Sequence, residues 1–163
     1  MHRIGITGHR EFDKPTSLLI REALQRIVDA YQSHDLVGVT CLAEGSDTLF
    51  AEAVADHGGR LEVVVPALRY RDALPTSHLD TYDEFLARAA AVHQLALIEP
   101  DDAAYLAGSE RMLAVIDRLV AVWDGLPARG MGGTAEVVAN AQQLGLPVEV
   151  VWPDGAERAP AGE

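Results

Sequence analysis

The sequence predicts a doubly wound, Rossmann-like α/β domain, with a mostly parallel sheet of about six strands and helices on both faces. Short apolar, β-branched runs alternate with longer helical patterns from one end of the chain to the other. Several of these runs lack a polar face, as expected when helices cover both sides of a parallel sheet. Alternating strands and helices of this kind form a single doubly wound domain.

The individual elements follow from the apolar patterns and from start and stop signals. Pro15 marks the first turn of the first helix, and Ser46 is expected to cap the second, which ends at Gly58. The fourth helix is expected near Ala103–Ile116, and the fifth ends at Gly145. The six strands are expected at Arg3–Thr7, Leu36–Cys41, Leu61–Val65, Gln94–Ile98, Leu119–Trp123 and Val148–Trp152.

The composition bounds the size and the partners of the protein. A chain of 163 residues, 48% hydrophobic and 23% charged, is long enough for one domain with its own core. Residues 1–152 are expected to form that domain, and the Pro/Ala/Gly/Glu-rich residues 153–163 a flexible tail. The net charge of −12 argues against a nonspecific nucleic-acid binder, which needs a basic surface, but not against binding of a small nucleotide.

Cysteine content and targeting patterns indicate a cytoplasmic protein. Cys41 is the only cysteine, so no intramolecular disulfide forms, and its place in a predicted strand indicates buried packing. The chain begins directly with a strand pattern rather than a signal peptide, and no apolar run is long enough to span a membrane. The six scattered histidines show no metal-ligand spacing, so neither a metal site nor a cofactor is expected.

A glycine-rich stretch after the fifth strand has the order of elements that forms an anion site. Its loop contains Gly130, Gly132 and Gly133, and a helical pattern starts near Thr134. Glycines let the backbone approach an anion closely, and the first free N–H groups of a helix point at it. Alone, this loop fits a plain strand-to-helix turn equally well. It lacks the Gly-Lys-Ser/Thr ending of an NTPase P-loop, so ATP hydrolysis is not expected.

A second loop of this kind ends the first predicted strand at Gly8, His9 and Arg10. Arg10 could pair bidentately with a phosphate, and His9 could hydrogen-bond a base or sugar; the alternative is an exposed loop with a stray arginine. Because the carboxyl ends of parallel strands lie along one edge of the sheet, the glycine loops are expected to converge there.

A third loop, with Gly45 and Ser46 between two carboxylates, ends the second predicted strand. Glu44 is interpreted as a ribose ligand or a catalytic group, since carboxylates accept hydrogen bonds from ribose hydroxyls. Asp47 has the same two interpretations, or it favours the helix N-terminus electrostatically. Asp124, at the end of the fifth strand, could reach the same cleft.

The segment Pro66–Asp80 does not fit a minimal unit of this fold. It is long, mixed and polar, and contains Arg69, Tyr70, Arg71 and His78. Connections of this length are more often functional than ornamental. It is either a lid over the cleft or a long connecting loop without a role in the site, and we favour the lid.

The three loops together resemble the SLOG superfamily, the Rossmann-like group that unites DprA-like with LOG proteins. The resemblance covers about residues 3 to 152. Ile4–Arg10 resembles the opening of small bacterial members, and Leu42–Glu52 with Val63–Pro66 is similar to their second loop, helix and third strand. Gly130–Glu136 resembles the phosphate loop Gly-Gly-x-Gly-Thr-x-x-Glu.

Some members of that superfamily are phosphoribohydrolases, and others bind nucleotides or act on DNA. The hydrolases use a helix arginine, which Arg111 resembles by position, and the glutamate that closes the phosphate loop. Here, when Gly133 and Thr134 are matched to the motif, Val137 stands where that glutamate belongs and Glu136 lies one residue early. One residue rotates a side chain by about 100° around a helix. The resemblance thus implies a phosphate site more directly than hydrolysis.

Three functions follow from this reasoning. The first is binding of a nucleotide or phosphoribosyl ligand, with N–H groups of 130–134 on the phosphate, Arg10 or Arg111 as counter-charge and Glu44 on the ribose. The second is a phosphoribohydrolase that releases base and ribose 5-phosphate from a nucleoside monophosphate, using Arg111 with Glu136 or Glu44. The third is a partner-binding protein with a vestigial cleft. The resemblance also implies a homodimer.

Overall fold

The computed structural model describes residues 1–127 and 133–159, which form the expected doubly wound α/β fold. The described strands make one sheet in the order β4-β3-β2-β1-β5-β6, and every neighbouring pair is parallel. No helix in the described ranges is long and apolar enough to cross a membrane. The strands are β1 (His2–Gly8), β2 (Leu36–Thr40), β3 (Arg60–Val65), β4 (Ala91–Gln94), β5 (Arg118–Val122) and β6 (Val148–Val151), and the helices are α1 (Lys14–Asp29), α2 (Ser46–His57), α3 (Leu79–Arg88), α4 (Asp102–Val115) and α5 (Thr134–Gln143).

The order of the strands places a reversal beside β1. The chain runs outwards from β1 to β4 and then returns to β5 on the other side of β1. Helices α1, α2 and α3 pack on one face of the sheet, burying Leu24, Phe50 and Phe85, whereas α4 and α5 bury Met112 and Val137 on the other. Ligands bind open α/β sheets outside the carboxyl ends of the strands at such a reversal. The fold therefore directs the search for a site to the loops after β1 and β5.

The start and end signals of the first two helices are mostly as expected. Asp13 caps α1, since its Oδ1 accepts the Thr16 N–H at 2.8 Å, and Pro15 lies in the first turn. Gly58 ends α2 in the left-handed conformation, with φ of 85°. The predicted cap of α2 was wrong: Gly45 is the N-cap, and Ser46 is the first helical residue. The Ser46 side chain is turned away from the helix to bond another loop.

The predicted fourth strand was placed too late in the chain. β4 ends at Gln94, opposite Val65, where β3 also ends, and Pro66 follows. A strand needs a partner, so the apolar run after Gln94 continues as a loop. There the backbone carbonyls of Leu97 and Ile98 accept N–H groups from residues 68 and 69, and both side chains are largely exposed. Apolar sequence alone could not locate the end of the ladder.

The segment between β3 and α3 is packed against the body of the domain. It forms two short 3₁₀ turns, Tyr70–Ala73 and Thr76–His78. Tyr70 and His78 are buried, and the His78 imidazole Nε2 lies 2.8 Å from the carbonyl oxygen of Leu42. The connection therefore joins the loop after β2 and contributes a fixed wall.

Residues 153–159, which the sequence assigned to a flexible tail, fold back onto the domain. A turn at Pro153–Gly155 reverses the chain, and the Ala156 N–H donates to the Pro153 carbonyl at 3.0 Å. The Glu157 N–H then donates to Thr16 Oγ1 at 3.0 Å, and Arg158 pairs with Phe12 in an isolated antiparallel bridge. This segment covers the start of α1.

Candidate functional site

A cleft of about 330 Å³ lies at the carboxyl edge of the sheet, where the strand order reverses. The loops after β1 and β2, the connection after β3, one face of α4, the start of α5 and the C-terminal segment all contribute to its walls. Of the residues proposed from the sequence, Gly8, His9, Arg10, Asp47, Gly133 and Thr134 line this cleft. Gly130 and Gly132 lie outside the described residues.

The loop after β1 is packed directly against the loop after β2. The carbonyl oxygen of His9 accepts the Ser46 N–H at 3.2 Å and the Ser46 hydroxyl at 2.7 Å. Gly45 has φ of 82°, and a Cβ added there would lie 2.3 Å from the carbonyl oxygen of Arg10. A Cβ on Gly8 would lie 2.6 Å from Ser46 Oγ. These two hydrogen bonds and two close approaches hold the loops together. Gly45 and Ser46 therefore support the wall of the cleft without lining it.

Arg10 brings a positive charge to the cleft from the loop after β1. Its guanidinium Nη1 lies 3.7 Å from Glu44 Oε1, and its Cζ lies 5.5 Å from the centroid of the Tyr105 ring. The side chain is 43% exposed, which leaves room for a ligand to reach it. Glu44 itself does not line the cleft, and its Oε2 is buried without a hydrogen-bond partner among the described residues. Glu44 therefore acts on the cleft through Arg10.

Asp47 and Cys41 form part of the floor behind Arg10. Asp47 is buried, and its Oδ2 accepts the Ala43 N–H at 3.1 Å. Burial raises the pKa of the Asp47 carboxyl to about 6, although the Ala43 N–H and Arg10 favour its charged form. Burial also raises the pKa of the Cys41 thiol, so this cysteine is not an activated nucleophile.

Tyr70 closes the same end of the cleft. Its side chain is 1% exposed, and its ring packs edge-on against the rings of Tyr82 and Tyr105. The Tyr70 hydroxyl is buried and has no hydrogen-bond partner among the described residues. Burial raises the pKa of this phenol well above its usual range, so it is a neutral donor.

The opposite wall is built around Asp124, which follows β5. His9 Nε2 lies 3.4 Å from Asp124 Oδ1, and Arg158 Nη1 lies 3.5 Å from Asp124 Oδ2. Burial opposes the charge on Asp124, but the Leu126 N–H, His9 and Arg158 outweigh it and lower the pKa of the carboxyl. Asp124 does not line the cleft; Arg158 and His9, which it contacts, do.

The start of α5 faces the cleft through Gly133 and Thr134. Gly133 is the N-cap and supplies no capping side chain, but its carbonyl accepts the Glu136 N–H at 3.1 Å. The N–H groups of residues 134 and 135, the first two of the helix, are left to another acceptor. In the next turn Val137 lines the cleft, whereas Glu136 is exposed. Val137, which stands at the glutamate position of the motif, is thus the residue of this turn that faces the cleft.

Arg111 lies away from the cleft. The cleft face of α4 carries Asp102, Tyr105, Ser109 and Met112. Arg111 is two residues beyond Ser109, a rotation of about 200° around the helix. Its Nη2 instead lies 3.2 Å from Nδ1 of the His93 imidazole. The arginine expected to act as a counter-charge from α4 is thus directed to the far side of the helix.

Sequence reasoning missed Arg158, Tyr105 and the inward orientation of Tyr70. Arg158 stood in a stretch interpreted as flexible tail, yet Pro153-Asp154-Gly155 is a turn signature, with Gly155 at φ of 89°. Tyr105 belongs to a set of residues spaced three and four apart on α4, the spacing of one helix face. Both signals are in the sequence; no local pattern indicates the contacts of Tyr70.

Comparisons with known proteins agree with the fold. No protein-family model matches the sequence, and no curated protein matches it. The structure is similar to DNA processing protein A from Streptococcus pneumoniae (TM-score 0.68, 17% identity, 95% of this chain and 52% of that one). It is also similar to DNA processing protein A from Helicobacter pylori, described for its single-stranded DNA binding mode (TM-score 0.66, 16% identity, 95% of this chain and 67% of that one). A third similar structure is that of the molybdenum cofactor carrier protein from Chlamydomonas reinhardtii (TM-score 0.55, 18% identity, 91% of this chain and 75% of that one).

These matches cover nearly all of this chain but only part of each matched protein. The chain spans about half the length of the Streptococcus pneumoniae protein, and all three identities are below 20%. Such similarity concerns the arrangement of strands and helices, whereas function depends on the side chains of the site. The chain therefore has the Rossmann-like fold that its alternating strands and helices predicted, and it shares that fold with these three proteins.

Proposed function

We propose that this protein binds a nucleotide or a phosphoribosyl-type ligand in the cleft, with the phosphate at the start of α5. The observation that carries the proposal is the convergence of Gly133, Thr134, Arg10 and Arg158 on one cleft at the reversal of strand order. The first N–H groups of a helix and the helix dipole favour an anion. The two arginines add charged donors that match phosphate oxygens.

The overall charge makes this local arrangement more significant. The chain carries a net charge of −12, so an anion approaches it against the average field. Arg158 contributes from the β5 side, beside Asp124, and Arg10 from the side of the β2 loop, beside Glu44. A small ligand needs only such local donors. A long nucleic-acid backbone would need an extended basic surface, so a mononucleotide-sized ligand is favoured.

Binding without turnover is favoured over phosphoribohydrolysis. Val137 occupies the turn of α5 that faces the cleft, and Arg111 contacts His93 outside it. Among the described residues, the carboxylates that line the cleft are Asp47 and Asp102. Asp47 already accepts the Ala43 N–H, so it is placed to support a loop and to face a polar ligand group. Hydrolysis by Arg111 with Glu136 or Glu44 has no support in this geometry.

A thermal-shift screen tests the proposal. AMP, ADP, ATP, ADP-ribose, ribose 5-phosphate and inorganic phosphate are added to the full chain. A ligand at a hundred times its dissociation constant stabilises the fold by about 2.7 kcal/mol, which raises Tm by roughly 5–10 °C. Failure of every phosphorylated compound to raise Tm rejects the proposal and favours a partner-binding protein. Release of adenine from AMP, followed by chromatography, would instead establish the hydrolase.

Variants then locate the site. Arg10→Ala and Arg158→Ala are each expected to weaken binding of a compound found in the screen by about 10–100-fold, the loss of a charge-assisted hydrogen bond. Arg88→Ala is the matched control, because Arg88 pairs with Glu84 on the exposed face of α3, away from the cleft. Equal affinities for all three variants would place the ligand elsewhere.

A further inference from the structure

We propose that the Tyr70 hydroxyl, beside Asp47, recognises an uncharged polar group of the ligand, either a ribose hydroxyl or the edge of a base. This inference rests on the proposed function and names the part of the ligand that lies farthest from the phosphate. It assigns a specificity-determining role to a residue of the connection after β3.

The first support is the unpaired state of the hydroxyl. Tyr70 is 1% exposed, lines the cleft, and its hydroxyl has no hydrogen-bond partner among the described residues. Leaving a buried hydroxyl unpaired is costly, so each such group in a native structure calls for an explanation. Because less than 1 Å² of the hydroxyl oxygen is accessible, a ligand acceptor in the cleft reaches it by moving a neighbouring side chain, and then supplies the missing partner.

The second support is that the ring cannot turn the hydroxyl away at low cost. The Tyr70 ring packs edge-on between Tyr82, at a centroid distance of 6.0 Å, and Tyr105, at 6.3 Å. The backbone is fixed as well, because residue 70 starts a 3₁₀ turn and its N–H donates to the Ala67 carbonyl at 3.1 Å. The hydroxyl is therefore held at one end of the cleft before any ligand arrives, which lowers the entropy cost of using it.

The third support is the distance between the two ends of the cleft. Tyr70 follows β3, and the start of α5 follows β5; β2 and β1 lie between them in the sheet. Three strand spacings of about 4.8 Å separate the ends of β3 and β5, roughly 14 Å along the edge of the sheet. A phosphate held by the start of α5 therefore leaves the Tyr70 end to the rest of the ligand, with Arg10, from the intervening β1 loop, between the two.

The neighbouring groups indicate what that part of the ligand offers. Asp47 lines the same end and is an acceptor when charged, whereas Tyr70 is a neutral donor. A donor beside an acceptor matches a hydroxyl or a base edge, which carries both functions. A site built to hydrogen-bond such a group also discriminates strongly against ligands that lack it.

Tyr70→Phe and Tyr82→Phe form a matched pair for the test. Both tyrosines are buried and their rings touch, but Tyr82 does not line the cleft. The dissociation constants of AMP, ribose 5-phosphate and inorganic phosphate are measured by calorimetry for wild type and both variants, and the stability of each free protein by urea unfolding.

The expected result is specific to one variant and to part of the ligand. Tyr70→Phe should bind AMP about tenfold more weakly, with phosphate affinity and the stability of the free protein unchanged or the stability increased. Tyr82→Phe should leave AMP affinity unchanged. An equal loss of affinity for ribose 5-phosphate in Tyr70→Phe assigns the contact to a ribose hydroxyl. A loss of affinity for AMP alone assigns it to the base.

Three results for the Tyr70→Phe variant would overturn the inference. Unchanged AMP affinity in Tyr70→Phe removes the role of the hydroxyl while the proposed function stands. An equal loss for inorganic phosphate places Tyr70 at the phosphate. Lower stability of free Tyr70→Phe shows that the hydroxyl already has a partner. If no phosphorylated compound of the thermal-shift screen binds wild type, the proposed function fails and the inference fails with it.

Discussion

His9 Nε2 lies 3.4 Å from Asp124 Oδ1, which joins the loop after β1 to the loop after β5 across the reversal of strand order. The other oxygen of the same carboxylate lies 3.5 Å from Arg158 Nη1. One buried carboxylate thus positions an imidazole of the central loop and a cation of the C-terminal segment. The β5 wall of the cleft depends on it.

Asp124→Ala is expected to weaken both the fold and the site. It removes the carboxylate that Arg158 contacts and one of the contacts of His9, so the free energy of unfolding should fall by about 2–4 kcal/mol in urea titrations. AMP affinity should fall about tenfold, because Arg158 loses its anchor. Asp72→Ala, at an exposed surface pair with Arg69, is the control and should change neither quantity measurably. Stability of Asp124→Ala within 0.5 kcal/mol of wild type, roughly the range of ordinary surface substitutions, would contradict the role given to Asp124.

Gly45→Ala should destabilise the protein far more than Gly125→Ala. Both glycines have positive φ, 82° and 80°, so both substitutions strain the backbone, by about 1–2 kcal/mol for a left-handed residue. Gly45 also has ψ of −123°, outside the left-handed helical region, which adds to its strain. Only at Gly45 does the added Cβ overlap another backbone atom, the carbonyl oxygen of Arg10 at 2.3 Å. We expect Gly45→Ala to lose more than about 3 kcal/mol, since the overlap adds to the strain. Similar losses in urea unfolding would show that the two loops are not in close contact.

Because the pKa of Asp47 is raised in the folded protein, we expect the free energy of unfolding to fall as the pH rises. Its carboxyl has a pKa of about 6 in the folded protein against an ordinary 3.8, so folding is favoured by the bound proton. That contribution is complete below about pH 4 and is lost as pH rises through 6, by up to about 3 kcal/mol. Asp47→Asn should therefore gain stability relative to wild type between pH 4 and 7. A difference between the two proteins that stays constant over this range would refute the assignment.

Glu62, on the other side of the sheet, has a lowered pKa, so we expect it to give the opposite dependence of stability on pH. The Arg3 guanidinium holds the pKa of Glu62 to about 2, against an ordinary 4.5, with His93 contributing through a 2.9 Å contact. The stabilisation is present above pH 4.5 and lost as pH falls toward 2, by up to about 3 kcal/mol. Glu62→Gln should thus be less stable than wild type at pH 7 and approach it near pH 2. Glu84→Gln, in an exposed pair, should show no such convergence.

The sequence by itself determined the class of fold and predicted the edge of the sheet at which the candidate cleft lies. The alternation of strand and helix patterns predicted a doubly wound domain because the period of apolar residues follows directly from helix and strand geometry. The glycine loops after β1 and β2 marked the edge where strands end, and Val137 already stood in place of a motif glutamate. These features are local, so neighbouring residues are enough to express them.

Tertiary structure decided which side chains meet. β4 could be located only through its pairing with β3, and the direction of Arg111 only through the packing of α4. Arg158 reaches the cleft because residues 153–159 fold back onto α1. Tyr70 reaches it because His78 ties the connection after β3 to the loop after β2. Such contacts join residues more than thirty positions apart, and no local periodicity encodes them.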